Sequence, residues 1–268
     1  MRLTDCRVLL TGASGGIGLA LAEQLCARGA QVLAVSRKRD ALAALLGRYP
    51  QQLAWTGADL RQAQGRQRVL DAARAMGGVN LLVNAAGVNR FAMLEQVDDS
   101  QIEDMLALNV TATLQLTRAL LPLLRQQSHA LVVNVGSTYG SIGYPGYAVY
   151  CASKFALRGF SEALRRELAD TQVNVLYVAP RATRTDMNSQ AAMALNAALK
   201  VGVDEPGQVA GAVIAAIEKD LSELYLGWPE KLFVRLNGML PGLVDRALHK
   251  QLPIIRRFSA VHHGKDHP

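Results

Sequence analysis

Short apolar runs alternate with longer stretches of helical periodicity along the first 226 residues. The runs at 7–10, 31–36, 53–55, 81–84, 130–135, 173–178 and 223–226 read as strands. Between them, 16–28, 39–48, 66–76, 100–123, 152–170 and 207–219 repeat apolar residues at helical spacing. Repeated strand–helix alternation predicts an α/β chain built on one parallel sheet covered on both faces. Crossovers of one hand make that sheet doubly wound, with about seven strands. No solenoid repeat, low-complexity tract or linker divides the chain. A single domain is expected, with 1–227 as its body and 228–268 as an extension of the same domain.

The extension has its own pattern. Leu232, Phe233, Leu236, Met239, Leu240, Leu243, Val244, Leu248 and Leu252 recur at near-helical spacing. Lys231, Arg235, Arg246, Lys250, Arg256 and Arg257 interleave with them against few acids. Pro241 and Pro253 are expected to break the pattern into shorter helices. A basic amphipathic segment of this kind packs on its own domain or a second subunit, or lies on a membrane surface or over a lipid-like substrate. Both readings stay open, so peripheral membrane contact through the tail is one of the expectations.

Composition narrows the classes. Half of the 268 residues are hydrophobic and 19% are charged, which supports a sizeable core and excludes disorder over most of the length. The formal charge of +7 suits an anionic cofactor, an anionic substrate carrier or a membrane surface. Aromatics are 5%, and no basic stripe interleaves with them, so no nucleic-acid partner is expected. Cys6, Cys26 and Cys151 show neither metal spacing nor a paired framework; no metal site is expected. Reduced thiols, the lack of a signal-peptide core at the N-terminus and the lack of a long apolar run together predict a cytoplasmic protein.

The first strand runs into Thr11-Gly12-Ala13-Ser14-Gly15-Gly16-Ile17-Gly18. Glycines there permit a tight turn and close approach of a pyrophosphate, and the following helix N-terminus offers free N–H groups. The spacing is G-x-x-x-G-x-G, at the place expected for a dinucleotide site, which makes Gly12, Ser14, Gly16, Ile17 and Gly18 candidate contacts. The second strand ends in Ser36-Arg37-Lys38-Arg39, with no carboxylate until Asp40. Cations at that place can hold a 2′-phosphate, so NADP(H) is favoured over NAD(H), with Ser36 and Arg37 as candidate contacts. The plain alternative is a solvated basic loop.

Tyr150 and Lys154 stand four residues apart, a spacing that puts both side chains on one helix face. A cation beside a phenol favours the phenolate, so a lowered tyrosine pKa is expected. Such pairs also occur on solvated helix faces, and the neighbourhood decides between the readings.

With these residues in order, the chain resembles the short-chain dehydrogenase/reductase family, by motif over 7–187 and more loosely to 226. Thr11-Gly12-x-x-x-Gly16-x-Gly18 is similar to the family's cofactor loop. Asp59-Leu60 resembles its acidic adenine-contacting position, and Asn84-Ala85-Ala86-Gly87 its Asn-Asn-Ala-Gly motif with Ala85 in place of the second Asn. Asn109, Ser137, Tyr150 and Lys154 match the catalytic set, Ser137 preceding Tyr150 by thirteen residues. Pro180 and Thr185 match the segment that meets the nicotinamide. The resemblance implies a Rossmann-like fold and hydride exchange between a nicotinamide and a carbonyl or alcohol. Tyr150 would pass the proton, Lys154 hold the ribose and tune the phenol, Ser137 bind the substrate oxygen, and Asn109 hold a relaying water. Asn84, Ala86 and Gly87 would border the cofactor. It also implies a homodimer or homotetramer.

Taken singly, Asn109, Ser137 and Asp59 have structural readings as a satisfied mid-helix amide, a turn cap and a helix cap. One departure stands out: Arg181 occupies the place of the family's glycine after Pro180. Arg181 or Arg184 can meet an acidic substrate, meet a cofactor phosphate or point to water. Met187, Met193 and the run 191–199 are expected to wall an apolar substrate pocket or to pack as a plain helix. A redox role for Cys151 is disfavoured, since adjacent helix positions face apart. An apolar or acyl-type ketone is the favoured substrate class. The rivals are a catalytically silent nucleotide sensor on the same fold and a membrane scaffold built on the tail.

Overall fold

The computed structural model describes residues 1–260. Seven strands form one sheet: β1 (Arg7–Thr11), β2 (Gln31–Ser36), β3 (Leu53–Gly57), β4 (Leu81–Asn84), β5 (Ala130–Val135), β6 (Val173–Ala179) and β7 (Glu223–Tyr225). Their order is β3-β2-β1-β4-β5-β6-β7, and every pair is parallel. The order reverses between β1 and β4, which opens a crevice at the carboxyl ends of those strands. In chain order the helices are α1 (Gly16–Ala27), α2 (Ala43–Arg48), α3 (Ala63–Ala75), α4 (Asp99–Leu106), α5 (Thr113–Arg125), α6 (Ala148–Glu167), α7 (Gln190–Ala198), α8 (Pro206–Glu218), α9 (Glu230–Met239) and α10 (Pro241–Ala260).

Residues of the five inner strands are buried on both faces, because alternate side chains enter two separate cores, whereas β3 and β7 at the edges are only partly covered. Val8 and Leu10 pack with Leu21, Leu25, Val213 and Ile217 from α1 and α8. Leu9 and Leu33 pack on the other side with Val69, Leu116 and Leu120 from α3 and α5. Each fully buried leucine contributes about 2 kcal/mol of transfer free energy. A third cluster lies beyond the strand ends, where Phe91, Met105, Tyr147, Tyr150, Ala192, Leu195 and Ile255 meet.

The single helix expected over 100–123 is two helices. Asp98 caps α4, its Oδ1 accepting from the N–H of Gln101 at 2.8 Å. A π-helical turn over Ala107–Ala112 then separates α4 from α5. One extra residue per turn there shifts the register of the side chains on either side. α6 begins at Ala148, four residues before the expected start, so Tyr150 sits in its first turn. The alanine-rich run after Ser189 is a regular helix, α7, capped by Ser189 Oγ, which accepts from the N–H of Ala192 at 3.2 Å.

In the tail, Pro241 does separate two helices, as the first residue of α10. Pro253 does not break the chain: α10 runs through it to Ala260. Pro253 and His249, whose carbonyl loses its partner, are both exposed, so water can satisfy that carbonyl. Among the described residues no helix is long and apolar enough to cross a membrane.

Candidate functional site

The crevice is lined by the ends of β1, β2, β4, β5 and β6. Thr11, the last residue of β1, ties two strand ends together. Its Oγ1 accepts from the N–H groups of Ala85 and Ala86, each at 3.1 Å, and donates to the Val83 carbonyl at 3.4 Å. Gly12 follows with φ +66°, and a Cβ there would lie 2.7 Å from the Ala85 oxygen and the Ala86 nitrogen. Only glycine fits, both in dihedral and in space. Gly16 and Gly18 are equally closed to a side chain, by Thr185 and by the Gly12 carbonyl. Thr185 therefore lies directly over the start of α1, which brings two distant sequence candidates together. No side chain caps α1, so its first N–H groups stay available beside Ser14 and Ile17.

These features fit a dinucleotide. The turn keeps its backbone bare, the helix N-terminus points free donors into the crevice, and Gly87 beside β4 is also without a side chain. At the end of β2, Ser36 Oγ donates to the Lys38 carbonyl at 2.7 Å and accepts from Trp55 Nε1 at 3.0 Å. The Ser36 hydroxyl thus braces the turn, and the exposed Arg37 and Lys38 form no ion pair among the described residues. Arg39 reaches over the Trp55 ring, 6.0 Å from its centroid.

Two candidates are engaged by the protein itself. The Asp59 carboxylate binds Arg61 through its backbone N–H at 3.0 Å and its guanidinium at 2.8 Å. Hydrogen bonds from Arg61 hold the Asp59 pKa below the usual range. Leu60 is buried beneath them. Asn84 turns its side chain under the sheet end, where Nδ2 donates to Thr117 Oγ1 at 3.1 Å and to Asn134 Oδ1 at 2.9 Å. Asn134 continues to Ser161 at 2.9 Å. This buried chain of amides and hydroxyls braces β4 against β5, α5 and α6. Its other members escape a motif search: Asn134 is a lone polar residue in an apolar strand, and Thr117 and Ser161 are two polar positions among several on amphipathic helices.

Asn109 sits in the π turn. Its Oδ1 accepts from the N–H of Val88 at 2.8 Å, and its Nδ2 donates to the Val88 carbonyl at 2.9 Å and to Ser153 Oγ at 3.0 Å. The amide clamps the segment after Gly87 against α6. Lys154 is buried and donates from Nζ to the Val135 carbonyl at 3.0 Å, 5.6 Å from the centroid of the Tyr150 ring. Ser137 follows β5, and its Oγ accepts from the N–H of Tyr139 at 3.1 Å.

The expected lowering of the Tyr150 pKa is not found. Burial pushes the phenol up to about 12, with the neighbouring Ser137 hydroxyl working in the opposite direction. Burial also drives Lys154 down from 10.5 to about 8. Desolvation of both groups outweighs their mutual effect, because the ammonium is bonded to a carbonyl and not to the phenolic oxygen.

Three further tyrosines surround Tyr150. Tyr139 meets it edge-on at 6.4 Å, Tyr147 lies at 6.2 Å, and Tyr139 and Tyr144 stack at 5.0 Å. Phe91 stacks on Tyr147 at 5.1 Å. Four of the chain's seven tyrosines fall within 139–150, a clustering visible in the sequence but not singled out there. Between this loop and α10 lies a cavity of about 430 Å³ lined by Tyr144, Pro145, Cys151, Leu248, His249 and Leu252. Burial raises the Cys151 pKa, and its sulfur accepts from the N–H of Tyr144 at 3.4 Å, as suits an inert packed thiol.

Arg181 neither faces water nor stands free for a ligand. It binds Asp204 at 2.7 Å and Glu230, at the start of α9, at 3.4 Å. Arg184 binds Glu205 at 2.7 Å. Pro180, just before Arg181, accepts from the N–H of Thr138 at 2.9 Å. Met187 is exposed at the approach to α7, and Met193 lies half-buried on it.

A doubly wound sheet with a bare glycine turn at its switch point, and a buried tyrosine and lysine across the crevice, defines a dinucleotide-binding oxidoreductase. The family model described as short chain dehydrogenase matches residues 7–195. The 3-oxoacyl-[acyl-carrier-protein] reductase FabG of Escherichia coli (strain K12) is 36% identical over 183 residues, covering 67% of this chain and 74% of that protein. Nodulation protein G of Rhizobium sp. (strain N33) is 38% identical over 185 residues, 66% of this chain and 73% of that one. Among solved structures, a short chain dehydrogenase from Burkholderia cenocepacia J2315 in complex with NADP superposes with a TM-score of 0.80 at 28% identity, covering 92% of this chain and 99% of that one. The chain belongs to the short-chain dehydrogenase family.

Proposed function

We propose that the protein reduces a ketone of apolar or acyl type, with NADP(H) preferred over NAD(H). The observation that carries the reading is the buried Tyr150–Lys154 pair at the mouth of the crevice. A nicotinamide dinucleotide, when bound, supplies the hydride. The chain does the rest. Tyr150, with a pKa near 12, holds its proton at neutral pH and is ready to donate it to a carbonyl oxygen. Ser137, next to it, offers a hydroxyl to the same oxygen and to the charge developing there. Lys154, near 8, changes charge close to neutrality and can resupply the proton and hold a ribose hydroxyl. Asn109 positions this group by fixing Val88 and Ser153.

Arg37 and Lys38, exposed at the end of β2 with no carboxylate beside them in sequence, support the preference for a 2′-phosphate. The NADP in the Burkholderia cenocepacia relative agrees with it. The tyrosine-rich wall and the reductase relatives named for 3-oxoacyl substrates support the substrate class.

The test is turnover of a panel of ketones, aldehydes and 3-oxoacyl thioesters with NADPH and with NADH, for the wild type and Tyr150→Phe. NADPH should be the better donor, and Tyr150→Phe should lose about a thousandfold or more in kcat while still binding cofactor. Full activity of Tyr150→Phe sinks the assignment. Cofactor binding without turnover on any carbonyl assigns the chain as a sensor instead.

A further inference from the structure

α9 turns most of its large apolar side chains to water. A helix that packs on its own domain turns apolar residues inward and polar residues to water. In α9 no residue is buried. Its contacts with the body include polar ones: Glu230 with Arg181, and Asn237 Nδ2 donating to the Ser141 carbonyl at 2.9 Å. Val234 and Leu236 are half-buried, but its other large apolar side chains, Leu232, Phe233 and Met239, face outward. Trp228 just before it is 72% exposed and Met239 80%, and Leu232, Phe233, Leu240 and Leu243 are exposed with them. Half of the large exposed apolar side chains among the described residues thus lie within 228–243. Such a concentration on a chain whose cores are closed marks a contact surface.

The charges say what it contacts. Lys231 and Arg235 are exposed among these apolar residues, and Arg246 and Lys250 are exposed on the next helix. Residues 228–260 contain six Lys and Arg against two acids, of which Glu230 is committed to Arg181. A second copy meeting this face about a two-fold axis would bring these cations towards their own equivalents with almost no acid to answer them. An anionic lipid surface answers them all. Aromatic and aliphatic side chains beside Lys and Arg, on helices too polar to span, are the chemistry of a helix lying in the interface plane.

We propose that α9 and the first turn of α10 dock the enzyme on an anionic lipid surface, with Trp228, Leu232, Phe233, Met239, Leu240 and Leu243 entering the headgroup layer. The orientation places the Arg181–Glu230 contact, and through it the segment leading to Thr185, directly behind the membrane face.

The test uses the full chain, because α10 buries Ile255 against the Phe91–Tyr147 cluster and truncation would open that core. Wild type is sedimented with phosphatidylcholine vesicles with and without phosphatidylglycerol. Partitioning should be about tenfold or more stronger with the anionic lipid and should weaken with salt. Trp228 emission should shift to the blue on those vesicles, a shift that Trp228→Phe abolishes. Leu232→Ser/Phe233→Ser/Met239→Ser and Lys231→Gln/Arg235→Gln should each cut partitioning about tenfold or more, with the circular dichroism spectrum unchanged. Equal recovery of wild type with and without anionic vesicles overturns the proposal. So does a serine triple variant that sediments as a smaller species than wild type, since that result gives the face to a second copy.

Discussion

Replacing Lys154 with methionine should make the protein more stable and inactive. Lys154 is 6% exposed, and burial lowers its pKa from 10.5 to about 8. At about 1.4 kcal/mol for each tenfold, keeping that side chain protonated in the fold at neutral pH costs about 3 kcal/mol. Methionine has similar length and no charge to desolvate. It forfeits the hydrogen bond to the Val135 carbonyl, which offsets about 1–2 kcal/mol of the gain. A net stabilisation of about 1–2 kcal/mol remains, or roughly 2–8 °C in Tm for a chain of this size. The pH dependence identifies the cause. The unfolded lysine titrates near 10.5 and the folded one near 8, so between those values the unfolded chain binds more protons and wild-type stability rises with pH. The advantage of Lys154→Met is therefore full below about pH 8. It disappears as pH approaches 10.5, where wild type holds a neutral, hydrogen-bonded amine. Thermal unfolding of both proteins without cofactor, followed by circular dichroism at pH 7 and pH 10, measures this. A variant less stable than wild type at pH 7, or a difference that does not change with pH, refutes the reasoning.

Asn84→Ala removes both donors that tie β4 to Thr117 and Asn134, and should lower stability by about 2 kcal/mol in urea denaturation because buried acceptors lose their partners. Arg37→Glu should raise the KM for NADPH by about tenfold or more and leave that for NADH nearly unchanged, in steady-state assays with each cofactor. A double-mutant cycle of Arg181→Ala and Glu230→Gln should show a coupling of about 1 kcal/mol in urea denaturation, since the pair is only partly screened from water.

The sheet was legible because its central strands, β1, β4 and β5 above all, are nearly continuous apolar runs, which a strand buried on both faces requires. The cofactor turn was legible for a related reason: its glycines are forced by backbone approach at Gly12 and Gly18, so the spacing carries the geometry. Contacts between charges were less legible. Arg181 could be placed beside the pocket, but its partners Asp204 and Glu230 are 23 and 49 residues away and nothing local announces them. The pKa of Tyr150 was misjudged because spacing reports the proximity of Lys154 and not the desolvation of both groups. The spacing of Pro253 does not show that its position is exposed, where water takes up the freed His249 carbonyl and the cost of carrying a proline within the helix is reduced. In the tail, periodicity identified an amphipathic helix but not which side of α9 faces the body.

The π turn over Ala107–Ala112 has a consequence for how this chain can change length. A turn holding one residue too many is a stored insertion. Deleting one residue there would restore ordinary helical pitch and leave α4 and α5 facing nearly as they do now, because a wide turn with one added residue covers about the same rotation as an α turn without it. Met105 on α4 would keep its place in the cluster under Tyr150, but the Asn109 amide, inside the wide turn, would swing away from Val88 and Ser153. Surface loops in general gain or lose a residue with local effect. This turn cannot, because its extra residue is what presents Asn109 to Val88 and Ser153.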